Sequence, residues 1–217
     1  MRRGEREYLA ALQRQAVEAR RLFSNAMKPE RERMVVKAFL RCIGEPFHDD
    51  EIQVGQSEPV DVTFRSARFQ VRDIVGDKKR GKEWKQRQHQ YGNAQSLGEL
   101  LEPYVPSTQI TFGALSCVAA DALFEKAARY GGASCKQLDA LVYFDPGGRH
   151  LYPPVFELTD GVAAELSRQG WRSVSVLSVP YGIVLAASAD SPEFLRKNVA
   201  RVLKEWPDDR AGAGLFD

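Results

Sequence analysis

Val60-Asp-Val-Thr-Phe64, Arg65-Ser-Ala67 and Arg68-Phe-Gln-Val-Arg-Asp-Ile-Val75 form the stretch on which the reading of this chain turns. Val60, Val62 and Phe64 alternate with Asp61 and Thr63, and Phe69 and Val71 alternate with Arg68, Gln70 and Arg72. Strict alternation marks strands with one buried and one wet face. A two-residue turn at Arg65-Ser66 pairs Phe64 with Ala67, Val62 with Phe69 and Asp61 with Gln70, whose Cβ atoms would then lie about 5 Å apart. Arg72 falls on the same face one pleat along, and any even loop length keeps that arrangement. A carboxylate, an amide and a guanidinium are thereby expected on one polar patch.

Around this hairpin lie helical segments. Glu5 to Asn25 is a charged helix with apolar positions at Tyr8, Leu12, Ala16, Ala19 and Phe23, read as an arm that packs one stripe on the domain. Pro29 opens a second helix, with Val35, Ala38, Phe39, Cys42 and Ile43 inward and Gly44 as its C-cap. Glu30 and Glu32 occupy its first turn, where acids oppose the helix macrodipole, which is the plain account of either one. Glu45 to Pro59 is a polar connection; one His (His48) beside Asp49 and Asp50 is too little for a metal site.

Beyond the hairpin, Lys78, Lys79, Arg80, Lys82, Lys85 and Arg87 follow one another, broken only by Glu83, with Trp84, Gln88 and Tyr91 at helical spacing. This is either a solvated helix face or a helix that contacts phosphates. A capping box at Ser96-Leu-Gly-Glu99 opens a short helix ending near Pro103, and a long helix starting at Ser107 or Thr108 runs to Tyr130, with Ile110, Leu115 and Leu123 inward. Leu138 to Phe144 reads as a strand covered on both faces. Thr159 or Asp160 caps a helix to Gly170, Ser173 to Val179 and Ile183 to Ala187 are strands, and Ser191-Pro192 opens a final helix carrying Leu195, Val199, Val202 and Leu203.

Hydrophobic residues make up 43% of the 217 and charged ones 28%, enough to bury a core in one domain. The net charge of +2 gives no global nucleic-acid signal, so any basic surface must be local. Cys42, Cys117 and Cys135 have no paired spacing and are expected as free thiols of a cytoplasmic protein, with Cys42 and Cys117 acting as small hydrophobes. No apolar run suits a signal peptide or a membrane span. The expected fold is α/β: a mixed sheet flanked by helices over residues 1–217 as one domain. Residues 1–27 form an arm, 77–133 a helical insert between the second and third core strands, and 207–217 a loose tail.

A helix with an early Glu, an Asp entering a hairpin, an acid-x-Lys triplet on the second strand and then strand, helix and strand is the order of the restriction-endonuclease-like nucleases. Glu58-Pro-Val-Asp61 followed by Phe69-Gln-Val-Arg72 resembles their Pro-Asp … (Asp/Glu)-x-Lys motif. The chain is also similar overall to a small bacterial family described as endonucleases of this fold. The core resemblance covers Pro29 to Val75 and Leu138 to Ala187. It implies that Asp61 matches the metal-binding aspartate, that Gln70 stands at the second acid and Arg72 at the lysine. Glu32, or alternatively Glu30, would be the helix glutamate that reaches the metal. Two of three motif positions depart from the pattern. A Mg²⁺ (or Mn²⁺) site would use Asp61, Glu32 and the Gln70 amide oxygen. Arg72 would hold a phosphate bidentately, but it cannot be a general base. The expected function is metal-dependent cleavage of DNA or RNA, with Lys78 to Arg87 binding the nucleic acid. The alternative is an inactive member of the fold kept as a nucleic-acid-binding or protein-interaction module. Oligomeric state is not legible. The absence of a Gly-rich phosphate loop and of a Gly-x-Ser-x-Gly elbow argues against other enzyme classes.

Overall fold

The structure is a computed structural model that describes residues 3–75, 80–101, 109–145, 150–151 and 160–204. In chain order its elements are α1 (Arg3–Leu22), α2 (Lys28–Cys42), β1 (Ile52–Val54), β2 (Val62–Phe64), β3 (Ala67–Val75) and α3 (Arg80–Asn93). There follow β4 (Gln109–Ile110), α4 (Phe112–Tyr130), α5 (Gly132–Cys135), β5 (Asp139–Asp145), β6 (His150–Leu151) and α6 (Asp160–Gln169). The last are β7 (Ser173–Ser178), β8 (Tyr181–Ala187), α7 (Glu193–Arg196) and β9 (Val202–Lys204).

The hairpin forms in the expected register: Val62 faces Phe69, Thr63 faces Arg68 and Phe64 faces Ala67. Arg65 turns the chain with φ of 49°, a left-handed conformation. A seven-stranded mixed sheet grows from it in the order β1-β2-β3-β5-β7-β8-β9. β3, β5 and β7 run parallel, and every other adjacent pair is antiparallel. The period-two alternation of β3 then divides the molecule. Phe69 and Val71 join α2 and α7 in one core with Val36, Phe39, Leu141 and Phe194. Ile74 joins α4 and α6 in the other, with Leu115, Leu123, Val142 and Leu166. β5 is buried from Asp139 through Phe144, as a central strand covered on both faces should be. α2 lies so close to β8 that a Cβ on Gly182 would come within 2.8 Å of the Cys42 Cβ.

Several expectations change. α1 buries Leu9 and Ala16, while Tyr8 is 54% exposed. Its partner is α3, itself polar, so an apolar stripe on α1 alone was ambiguous by one residue. The contacts run antiparallel: Leu97 N–H donates to Glu5 Oε1, and Arg20 Nη1 donates to Gln88 Oε1. The polar connection contains edge strand β1, paired with β2. Ile110 lies in β4, paired in parallel with β6, and α4 starts only after Thr111, whose Oγ1 accepts the Ala114 N–H. The final helix is a single turn. Ala200 adopts φ of 58° and donates its N–H to Val184 O, after which Val202 to Leu203 pair with β8 as strand β9. The three cysteines are free, but Cys117 is exposed and so is no core residue. The expected tail, 207–217, lies outside the described residues. Among the described residues no helix is long and apolar enough to cross a membrane.

Candidate functional site

β2 stops short of the middle of β3, and among the described residues no strand pairs with this edge of β3 beyond it. Asp61, the residue before β2, turns into this opening. Its N–H bonds Phe69 O, while its Oδ2 accepts the Val71 N–H at 2.8 Å and Gln70 Nε2 at 2.7 Å. Gln70 Nε2 also donates to Val71 O at 3.1 Å. The two side chains therefore finish the ladder that β2 leaves incomplete, one taking the N–H and the other the C=O of Val71. Gln70 is only 1% exposed, and its Oε1 is buried without a partner.

Glu32 arrives from α2, a buried acid at 8% exposure. Lys28, one turn earlier at the start of that helix, joins the two acids. Its Nζ lies 2.8 Å from Glu32 Oε1 and 3.6 Å from Asp61 Oδ1. Burial pushes the Glu32 carboxyl above its ordinary value; the Lys28 hydrogen bond opposes this, and the charges of Asp61 and Asp73 reinforce it. Burial works against the Lys28 ammonium, but its bonds and charges with Glu32 and Asp61 prevail, and its pKa is raised. Lys28 is thus a fixed cation.

Beside this cluster is a cleft lined by Lys28, Arg31, Glu32, Val71, Arg72, Asp73 and Lys126. Arg72 shares its face of the sheet with Gln70. Its Nε is buried with no partner, as is the Nε of Arg31. Arg31 Nη1 donates to Leu22 O and Ser24 O, and its guanidinium lies 5.6 Å from the Phe23 ring centre, tying the cleft to the end of α1. Buried donors without acceptors are unusual in a native protein unless a ligand or water completes them.

The structure therefore brings together Asp61, Gln70, Arg72 and Glu32. Glu30 points elsewhere, 3.7 Å from Arg33 Nη1. The three-oxygen metal ligand set does not form. Val71 O and Asp61 Oδ2 both require the amide NH₂ of Gln70, so its oxygen faces away from Asp61. The ammonium of Lys28 also sits between the two carboxylates, where a cation would go. Among the described residues no group of three or more His, Cys, Asp or Glu could hold a metal ion. Of the basic run, Lys82 and Lys85 are exposed, whereas Arg87 turns back to Glu83 at 3.0 Å and over Trp84. Lys78 and Lys79 lie outside the described residues, as does the side chain of Arg80. Lys28, Arg31 and Lys126 were missed. The i,i+4 spacing of Lys28 and Glu32 was a usable signal for the first; nothing local links the others to Asp61.

Another buried ion pair is structural. Asp139, wholly buried, accepts from Arg172, from Ser173 Oγ at 2.8 Å and from the Arg68 N–H at 3.0 Å. Every partner is satisfied there, in contrast to the cleft.

Fold and site define a mixed α/β protein with an ion-lined cleft at an open sheet edge. A family model described as "Putative endonuclease, protein of unknown function (DUF1780)" matches residues 4–208, and the chain belongs to that family. No curated protein matches it. A solved protein from Pseudomonas aeruginosa strain PAO1 is 27% identical over 91% of this chain and 94% of its own, with a TM-score of 0.62. That protein is described as being of unknown function, in the "Monooxygenase Superfamily".

Proposed function

We propose that this chain is a nuclease of restriction-endonuclease-like build, and that the cleft at the edge of β3 holds the phosphodiester it cleaves. The family description supports a nuclease at a coarse level. The order of α2, the β2–β3 hairpin, β5, α6 and β7, with Asp61 entering the hairpin, supports the finer reading. The observation that carries the proposal is the pair of buried, partnerless Nε donors of Arg31 and Arg72 in a cleft that also holds Lys28 and Lys126. Four cations against Glu32 and Asp73 leave an excess of positive charge in the cleft, which suits a phosphate diester.

In this reading Arg72 and Arg31 hold the non-bridging oxygens, with Lys28 beside them to offset charge that develops at phosphorus. Glu32, in its ionised form and with its basicity raised by burial, takes the proton of a water as its oxygen attacks phosphorus; the opposite P–O bond breaks, its electron pair stays on the leaving oxygen, and that oxygen takes a proton from solvent. Asp61 keeps Lys28 in place, and Gln70 keeps Asp61 in place. No step is assigned to a metal, because the side chains do not converge as ligands.

A second reading has one specific observation behind it. Asp61 and Gln70 are accounted for by completing the β3 ladder, which is compatible with a nuclease-fold module that binds without cutting. Incubating end-labelled DNA and RNA with wild type and Lys28→Ala separates the two. The proposal expects cleavage products from the wild type and a large loss in the variant. Binding without products from either protein would establish the module instead.

A further inference from the structure

α3 exposes Lys82, Lys85, Gln86, His89, Gln90 and Asn93, a face that contains no acid. Positions 82, 85/86, 89 and 93 recur at three- and four-residue steps and so form one stripe. The only acid in the helix, Glu83, is half-buried and neutralised by Arg87. Trp84, under the Arg87 guanidinium at 5.4 Å, and Tyr91 are half-buried too. The helix is braced along its length by α1 through the Arg20–Gln88 bond and, just past its end, through Glu5 and Leu97. Its first turn packs on the end of α1, one residue removed from the cleft: a Cβ on Gly81 would lie 3.6 Å from Phe23 O, and the Phe23 ring meets the guanidinium of the cleft residue Arg31. A helix of 14 residues is about 21 Å long. The donor stripe thus starts beside Phe23, the neighbour of the cleft residue Arg31, and extends for several phosphate spacings.

We propose that this exposed face of α3, Lys82 to Asn93, is a track for a nucleic-acid backbone leading out of the cleft, with α1 as its strut. The proposal rests on the reading of the cleft as a phosphodiester site. Ammonium, amide and imidazole groups are the side chains that contact phosphate and sugar without reading sequence. A membrane surface fits poorly, because an interfacial helix needs large apolar side chains facing the lipid, and the aromatic residues here pack inward.

The test is a set of anisotropy titrations with labelled duplex DNA, single-stranded DNA and RNA at several salt concentrations. Wild type, the double variant Lys82→Ala/Lys85→Ala and Asp61→Ala are compared. Each phosphate contact contributes a log–log slope of about −0.9 on duplex or about −0.7 on single strands. The double variant should therefore flatten the slope by about 1.4 to 1.8 and weaken all sequences alike, with an unchanged melting temperature. Asp61→Ala should keep the wild-type slope while losing cleavage. An unaltered slope in the double variant, with wild type still binding and cleaving, overturns the track and leaves the cleft standing. Wild type that binds no nucleic acid overturns the track as well. So does binding to phosphatidylserine vesicles that the double substitution abolishes while nucleic-acid binding is untouched. Cleavage retained by both Asp61→Ala and Lys28→Ala would instead count against the cleft.

Discussion

Replacing Gln70 by Glu restores the acid found in the nuclease motif and removes a donor from a position that requires one. Gln70 Nε2 donates to Asp61 Oδ2 at 2.7 Å and to Val71 O at 3.1 Å, and the residue is 1% exposed. A carboxylate there would meet a second carboxylate and a carbonyl. One hydrogen bond to a charged acceptor, about 1.5–3 kcal/mol, and one neutral bond, about 1 kcal/mol, are lost. Like-charge repulsion in a buried place adds to that, so the expected cost at neutral pH is about 3–5 kcal/mol, a large part of an ordinary domain's stability. The folded state should hold the new carboxyl protonated, above its unfolded value. Folded protein then binds more protons across that window, and stability falls as pH rises through it. Below the ordinary carboxylate range the penalty shrinks, because a protonated Glu can donate once. Urea unfolding of both proteins at acid and neutral pH measures the difference in midpoint and slope. A variant as stable as wild type at neutral pH, or one whose melting temperature rises with Mn²⁺ or Mg²⁺, would refute the reasoning. It would show that an ion enters between the two acids despite Lys28.

Other perturbations follow from the same geometry. Burial raises the Glu32 carboxyl above its unfolded value, so its contribution falls as pH climbs through the raised pKa; Glu32→Gln removes that pH dependence and should gain on wild type as pH rises through that window, as scanning calorimetry across pH will register. Lys28→Met leaves Glu32 and Asp61 facing each other; because Lys28 is half exposed, the expected loss is about 1–2 kcal/mol by urea titration, recovering as pH is lowered. Asp139→Ala strands Arg172, Ser173 and the Arg68 N–H in the interior and should cost about 3–5 kcal/mol, visible as a collapse of the urea midpoint. Gly182→Ala drives a methyl to 2.8 Å from the Cys42 Cβ and should cost about 1–3 kcal/mol in the same titration.

The hairpin and its register were legible because a two-residue period leaves no freedom: once Val62 and Phe69 are buried, Asp61 and Gln70 must meet. β5 was legible as a mostly apolar run, and β7 and β8 as two further strands after α6. β9 was not, because Val199, Val202 and Leu203 satisfy a helical stripe as well as an edge strand. A left-handed Ala200 held by Val184 O decides between them, and that contact is not local. The site was half legible for a similar reason. Residue types placed Asp61, Gln70, Arg72 and Glu32 together, but which end of the Gln70 amide faces Asp61 depends on Val71 O. Lys28 meets Asp61 only because α2 overlies the hairpin. The exposure of Cys117 turns on the rotation of α4, which its small residues leave poorly specified by pattern alone.

The central claim is that the cleft beside Asp61 cleaves phosphodiesters, and the most direct measurement is the cleavage rate of labelled DNA and RNA by wild type and Arg72→Ala, with binding followed in parallel. Among the described residues the buried Nε of Arg72 has no acceptor to lose, so its removal should leave the melting temperature nearly unchanged. The account predicts cleavage by the wild type and a rate lowered by about 10²–10³ in Arg72→Ala, as for loss of one donor that stabilises transition-state charge. Equal rates for the two proteins, or no cleavage of either nucleic acid by the wild type, would contradict it.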